Sequence, residues 1–346
     1  MSAKPLILFD PLPRARAQIF NAGDWARLNA LGQVIDSGDV RMQAAEVDRH
    51  ITDAAIVVGQ TDLPRARLDR AARLRAIVNV EGNFLQNIDY ETCFARGIHV
   101  LGIGPVFAQP VAEWALGAAL DLARGLTAGD RAMRDGNEAY GSRANAESFV
   151  LAGAEFGIIG FGNLGRALLP LLRPFGGRMR IHDPWLPDGF IRALGAEPAS
   201  LDVVLATSRV LFILAGVTAE NAGFLDRAKL ATIRQDAVVV LASRAAVVEF
   251  AAFTALANAG AFGAATDVFP QEPVAPDDPV RRSRLLLSSH RAGGLPSVLQ
   301  GIGEVVVEDI ALILANLPPI RCQRAERETV ARMRSIAGNS GPRASS

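Results

Sequence analysis

The stretch Glu155-Phe-Gly-Ile-Ile-Gly-Phe-Gly-Asn-Leu-Gly-Arg166, followed by Arg178-Met-Arg-Ile-His-Asp183, decides the fold. It reads as a short apolar strand, a tight glycine turn, a helix, a second strand, and an acid at that strand's end. Gly160, Gly162 and Gly165 fit G-x-G-x-x-G. The first permits the sharp turn, the second lets backbone approach a pyrophosphate, and the third lets helix and strand pack closely. Asn163 and Leu164 open the helix, whose unpaired N–H groups suit phosphate oxygens. Asp183 lies 18 residues past Gly165, where a carboxylate accepts from a ribose 2′-hydroxyl and repels a 2′-phosphate. NAD is therefore favoured over NADP. Pro170 falls inside the expected helix, where it removes a hydrogen bond, so a kink or distorted turn is expected there.

Outward from this unit the chain alternates apolar runs with helix-like segments. Pro5 to Phe9, Ala54 to Val58, Arg75 to Val80 and Ile98 to Leu101 look like strands; Asp24 to Leu31, Ala44 to His50 and Arg65 to Arg73 suit helices. Val111 to Arg124 reads as a long, largely apolar helix, followed by a polar loop or short helical arm over Ala128 to Ser148. Beyond the glycine turn, Val210 to Leu214, Ala237 to Leu241, Phe262 to Asp267 and Leu285 to Ser288 are buried-strand candidates. Helices fit Asp226 to Thr232, Val247 to Ala259 and Leu295 to Asn316. Such alternation predicts α/β parallel sheets with crossover helices. If the last helix returns to the first sheet, the first domain is discontinuous: residues 1–104 with 295–330, around a dinucleotide-binding domain at 105–294. Residues 331–346 read as a disordered tail.

A length of 346 residues suits two domains, and half of the residues are hydrophobic. The 36 basic and 36 acidic residues cancel, which argues against a nucleic-acid or anionic-membrane partner. Cys93 and Cys322 suggest two reduced thiols in a cytoplasmic protein, not a disulfide framework or zinc cluster. No apolar run is long enough for a signal peptide or a membrane span.

The chemistry concentrates after strands. Arg244 ends Val238-Val-Val-Leu-Ala-Ser-Arg244; Glu272 lies in Asp267-Val-Phe-Pro-Gln-Glu-Pro273; His290 precedes Arg291-Ala-Gly-Gly294. Strand ends are where open α/β sheets place ligands. Oxidising an alcohol by hydride transfer needs a base for the hydroxyl proton, and histidine suits that near neutral pH. A neighbouring carboxylate, Glu272, fixes the ring and favours its protonated form. A guanidinium, Arg244, pairs with an α-carboxylate and polarises the adjacent carbonyl. No G-x-S-x-G or H-E-x-x-H occurs, so neither a hydrolase nor a metal is expected. His50 suits a helix C-terminus, and His99 and His182 read as structural.

Gly160-Phe-Gly-Asn-Leu-Gly165, Ser243-Arg244, Asp267-Val-Phe-Pro-Gln-Glu-Pro273 and Ser289-His-Arg-Ala-Gly293, in this order, resemble the D-isomer-specific 2-hydroxyacid dehydrogenases. That family includes phosphoglycerate dehydrogenase and hydroxypyruvate/glyoxylate reductases. The resemblance runs from about residue 50 to 320. It implies two Rossmann-like or flavodoxin-like parallel-sheet domains with a cleft between them, and commonly a homodimer. It also implies the trio Arg244, Glu272 and His290, with Asp183 on the adenosine ribose, Asp267 on the nicotinamide carboxamide and Ser243 in the cofactor set.

The departures concern the substrate. The family's glycine-rich loop, whose N–H groups hold the substrate carboxylate, reads here Glu81-Gly-Asn-Phe-Leu-Gln-Asn-Ile-Asp89. The resemblance assigns substrate binding to Gly82, Asn83 and Phe84. Phe84 stands where glycine is common and is expected to reshape the pocket; Glu81 adds negative charge near it. Leu214-Ala-Gly-Val-Thr218 replaces the family's His-x-Pro-Leu-Thr, and Ala245 replaces a glycine. The expected function is NAD(H)-dependent interconversion of a 2-hydroxy acid and a 2-oxo acid. The alternatives are an NAD(H)-sensing dimeric regulatory scaffold on the same fold, or the same chemistry on a bulkier sugar-derived acid.

Overall fold

The structure is a computed structural model that describes residues 4–330 apart from 219 and 329. The expected tail at 331–346 lies outside the described residues. Two compact units result: one runs to Phe107 and resumes at Gly294, the other runs from Ala108 to Gly293 apart from a short stretch at Thr218.

The first unit carries β1 (Leu6–Asp10), β2 (Gln33–Asp36), β3 (Ala54–Gly59), β4 (Ala76–Asn79) and β5 (His99–Gly102), ordered β5-β4-β3-β1-β2 and mutually parallel. Gln323–Arg324 adds an antiparallel edge beside β5. β3 and β4 are buried at every position, as continuous apolar runs must be when helices cover both faces of a parallel sheet. Alternate residues serve opposite cores. Ile7, Phe9, Ile56 and Val58 meet Ile302, Val306 and Ile310 of the helix Pro296–Leu314; Leu8, Val57 and Ile77 meet Val47, Leu68 and Cys93. Burying each such aliphatic side chain contributes about 1.5–3 kcal/mol against the entropy of ordering it.

Two local differences from the sequence expectation have physical causes. The helix expected over Arg65 to Arg73 ends at Leu68. Arg96 donates to the carbonyls of Leu68 and Ala71, which caps the turn and diverts the chain. β2 went unrecognised because Gln33-Val-Ile-Asp36 is a partly exposed edge strand with two apolar residues. Both cysteines are free and buried; burial pushes the Cys93 thiol up to about 12, and burial beside Asp309 raises Cys322 as well.

The second unit carries β6 (Phe156–Ile159), β7 (Met179–His182), β8 (Glu197–Pro198), β9 (Val210–Ile213), β10 (Val238–Leu241), β11 (Gly263–Thr266) and β12 (Leu286–Leu287). Their order is β12-β11-β10-β9-β6-β7-β8, all parallel. The chain leaves β6 through β7 and β8, then returns to its other flank with β9. Strand order therefore reverses at β6, where such sheets open a crevice beyond their carboxyl ends. The glycine turn emerges there.

The helix Ala108–Arg124 packs on Asn163–Leu172, and its buried residues include the small Ala112, Ala115, Ala119 and Ala123, which let neighbouring backbones approach. Pro170 lies inside the second helix on its exposed side. The helix continues to Leu172 and tightens into a 3₁₀ turn over Arg173–Phe175. Water can solvate the carbonyl that Pro170 leaves without an N–H, which is why the helix survives it.

Candidate active site

The glycine turn is shaped by what its residues lack. Gly160 has φ 88°, and a Cβ there would stand 2.4 Å from the backbone N and Cα of Ala215. Gly165 lies so close under the turn that a Cβ would meet the Gly160 carbonyl at 2.8 Å. Gly162 faces open space: nothing lies within 4 Å of where its Cβ would be. A pyrophosphate thus has free approach to the start of the helix Asn163–Leu172, where N–H groups lack helical partners. Leu164 packs against the core beneath, and Asn163 accepts from Arg166 Nη2 at 3.2 Å.

Gly160→Ala is expected to lower stability by about 3 kcal/mol, through strain and overlap together. For a domain of this size that is roughly 6–12 °C in Tm. NADH titration of the surviving folded fraction should show binding lost. An unchanged Tm and Kd would mean that the Ala215 segment moves aside freely.

Asp183 closes β7, and its carboxylate ties that strand end to the turn. Oδ2 accepts from Phe161 N at 2.7 Å and Oδ1 from Trp185 N at 3.0 Å. Lone pairs remain on both oxygens for a diol. His182 points elsewhere, its Nδ1 3.2 Å from the Ala199 carbonyl.

Arg244, Glu272 and His290 follow β10, β11 and β12 of the same sheet. His290 Nδ1 lies 2.5 Å from Glu272 Oε2, while Glu272 Oε1 accepts from Phe269 N at 2.9 Å. Among the described residues, His290 Nε2 has no protein partner. Burial raises the pKa of Glu272, but the hydrogen bonds from His290 and Phe269 N, with the charges of His290 and Arg244, outweigh it and hold the group below its ordinary value. Arg244 follows the neighbouring strand β10, and its charge is the smallest of those causes. Arg244 Nη1 also donates to the Ser243 carbonyl at 2.7 Å. Ser243 itself is buried, its Oγ 3.4 Å from the Ile213 carbonyl.

Asp267 is engaged in a way that its position in the sequence did not disclose. It is buried, and its two oxygens accept from Arg291 N and Ala292 N, each at 3.0 Å. The amides just past His290 are thereby pinned. His290 has φ 51°, a left-handed conformation that few side chains adopt without such support. Ala245 is accommodated because it does not have positive φ; it opens a 3₁₀ turn, buried. Leu214 is buried as well, ahead of the Ala215 backbone on which Gly160 rests.

The loop after β4 belongs to the first unit. Asn79 closes it, donating through Nδ2 to the Asn83 carbonyl at 2.8 Å and accepting from Glu81 N at 2.9 Å. The amides of Gly82, Asn83 and Phe84 donate to no protein group among the described residues. Successive N–H groups without protein partners are the kind of donors that can hold an anion. The Phe84 side chain, expected to reshape a pocket, is 3% exposed, and its ring meets Tyr90 edge-on at 6.4 Å in the core. Glu81 is paired with Arg14: Nη2 donates to Oε2 at 3.0 Å, and Nε lies 2.9 Å from Oε1. Arg14 was not singled out from the sequence. The available signal was its place just past β1, the same relation to a strand end that Glu81 has to β4.

His50 ends the helix Ala44–His50. Burial, and the charges of Arg324 and Arg75, lower the pKa of His99 in β5. Among the described residues, no group of His, Cys, Asp or Glu could hold a metal ion, and no helix is long and apolar enough to cross a membrane.

Residues 116–292 match the family described as D-isomer specific 2-hydroxyacid dehydrogenase, NAD binding domain. A crystal structure of a phosphoglycerate oxidoreductase from Rhizobium etli is 42% identical, with TM-score 0.84 over 94% of this chain and 100% of that one. The chain therefore belongs to the D-isomer specific 2-hydroxyacid dehydrogenase family, and its second unit is a nicotinamide-dinucleotide domain. It is also 26% identical over 299 residues to D-3-phosphoglycerate dehydrogenase of Archaeoglobus fulgidus, covering 85% of this chain and 55% of that protein. With glyoxylate reductase of Korarchaeum cryptofilum it shares 28% over 255 residues, 72% of this chain and 76% of the other. The chain spans about half the length of the phosphoglycerate dehydrogenases that it matches.

Proposed function

We propose that the protein is an NAD(H)-linked oxidoreductase that interconverts a small 2-hydroxy acid and its 2-oxo acid. The observation that carries the reading is the His290–Glu272 contact of 2.5 Å with His290 Nε2 left unclaimed. An imidazole so held has one nitrogen committed and one available for a substrate proton. When bound, the cofactor supplies or accepts the hydride. In reduction, His290 Nε2 gives its proton to the carbonyl oxygen as negative charge develops there. Glu272 stays ionised and stabilises the imidazolium before transfer. Arg244 polarises the carbonyl and pairs with the carboxylate. In the first unit, the N–H row at Gly82, Asn83 and Phe84 is suited to a carboxylate. Asp183 supports a preference for NADH over NADPH, since a 2′-phosphate would meet its carboxylate.

The relatives' names divide between phosphoglycerate and glyoxylate, so both kinds of acid belong in the assay. With the Phe84 ring in the core, larger sugar-derived acids belong there too. The test is oxidation of NADH, and of NADPH, across a set of 2-oxo acids. Turnover with NADH exceeding NADPH by at least about tenfold is expected. Tight NADH binding with no turnover on any acid would favour a sensing scaffold and overturn the enzyme. We infer a homodimer as well, because the helix Leu126–Asp135 buries no residue and leaves Leu126 and Met133 exposed, as is Tyr140 beyond it. The two buried free thiols suit the reducing cytoplasm.

A further inference from the structure

His290 is held at two points by one loop. Its ring is held by Glu272, whose Oε2 lies 2.5 Å from Nδ1. The main chain just beyond it is held by Asp267, at the start of the same loop: Oδ1 accepts from Arg291 N and Oδ2 from Ala292 N, each at 3.0 Å. The loop is itself braced, since Phe269 N donates to Glu272 Oε1 at 2.9 Å and Val268 N to Thr266 Oγ1 at 3.3 Å. Asp267 is 2% exposed and Ala292 3%, so water does not compete for these bonds. The His290 side chain, by contrast, is 40% exposed, so packing does little to fix the ring. A ring held only at Nδ1 could swing about that contact. Fixing the two amides that follow, and with them the left-handed backbone at φ 51°, settles where Nε2 points.

We propose that Asp267 is a positioning residue for proton transfer, acting through the amides of Arg291 and Ala292 to aim His290. The proposal rests on the dehydrogenase reading. It differs from the role that the resemblance implies, a carboxylate that grips the nicotinamide carboxamide. Asp183 also accepts two backbone N–H groups, yet it is only half-buried and keeps a face open to a ligand. Asp267 has both oxygens engaged and almost no surface left, so its work is on the loop. The rate depends steeply on such work, because a misplacement of about 1 Å can cost about 10²-fold. Cofactor affinity does not, since the pyrophosphate and ribose are assigned to the glycine turn and Asp183.

The test is Asp267→Asn in the full chain, assayed with NADH and whichever 2-oxo acid wild type reduces fastest. Asparagine keeps the shape but sets an amide NH2 against one of the two backbone N–H groups. kcat is expected to fall by about 10²-fold while Kd for NADH changes by less than about threefold. Added to His290→Asn, the same substitution should cost less than about threefold more, because nothing is left to aim once the imidazole is gone. An undiminished loss on top of His290→Asn overturns the proposal. So does an NADH complex weakened about tenfold while the reduced acetylpyridine analogue, with methyl for the carboxamide NH2, binds variant and wild type alike, the signature of a lost hydrogen bond to the carboxamide. If the variant does not fold, wild type decides: hydrogen exchange at the Arg291 and Ala292 amides should be slowed by about tenfold or more against an unprotected chain, and unprotected exchange overturns the proposal. If wild type reduces no 2-oxo acid, the dehydrogenase reading fails on its own. The same exchange measurement then decides whether Asp267 holds the loop.

Discussion

Replacing His290 by asparagine is expected to lower kcat by roughly 10²–10⁴-fold, the usual contribution of a positioned acid or base, while NADH affinity changes little. Asparagine is the informative substitution because residue 290 has φ 51°. Asparagine tolerates the left-handed region better than most side chains, so the loop pinned by Asp267 keeps its course. Alanine at the same place removes the imidazole and adds backbone strain, and its larger defect would mix two causes. Steady-state kinetics with an NADH titration by fluorescence make the check. Asparagine turning over within a few-fold of wild type would remove His290 from proton transfer.

Arg244→Lys is expected to lower kcat/KM by about 10²–10³-fold, equivalent to roughly 2.7–4 kcal/mol of transition-state binding. Charge is conserved in this variant; the planar fork is not. Arg244 already donates from Nη1 to the Ser243 carbonyl, so one end of the guanidinium is fixed. An ammonium cannot both keep that bond and present a planar pair of donors. Arg244→Gln tests the field separately. The pKa of Glu272 lies below its ordinary value, with Arg244 as one cause, so activity that needs this carboxylate persists as pH falls until the lowered pKa is reached. Without the guanidinium that pKa rises, and the acid-side loss of activity moves to higher pH. A kcat/KM profile that keeps its acid limb in place would show the two groups to be uncoupled.

Much of this was legible in the residues because the determinants are local or strongly typed. Gly160 needs positive φ and Gly165 needs a missing Cβ, and glycine announces both. Ala54–Gly59 and Val238–Leu241 are buried throughout and read as unbroken apolar runs. What stayed hidden depends on partners distant in the chain. Arg96 ends a helix 28 residues earlier by donating to the Leu68 carbonyl. Asp267 reaches 24 residues ahead to hold Arg291 N. Arg14 meets Glu81 across 67 residues. Each is a polar contact whose two halves look ordinary alone. β2 was missed for another reason: an edge strand with half its residues polar has no periodicity to betray it.

The ring at position 84 is committed to the interior, sharing its surroundings with Tyr90, Ile88 and Leu63. Its bulk is therefore a matter for folding, and only its main chain is left for a ligand. Anyone remodelling this protein for a new acid gains nothing by trimming that phenyl group, and loses a packing anchor. Variation that leaves the scaffold intact belongs at the neighbouring half-exposed positions 81 and 83.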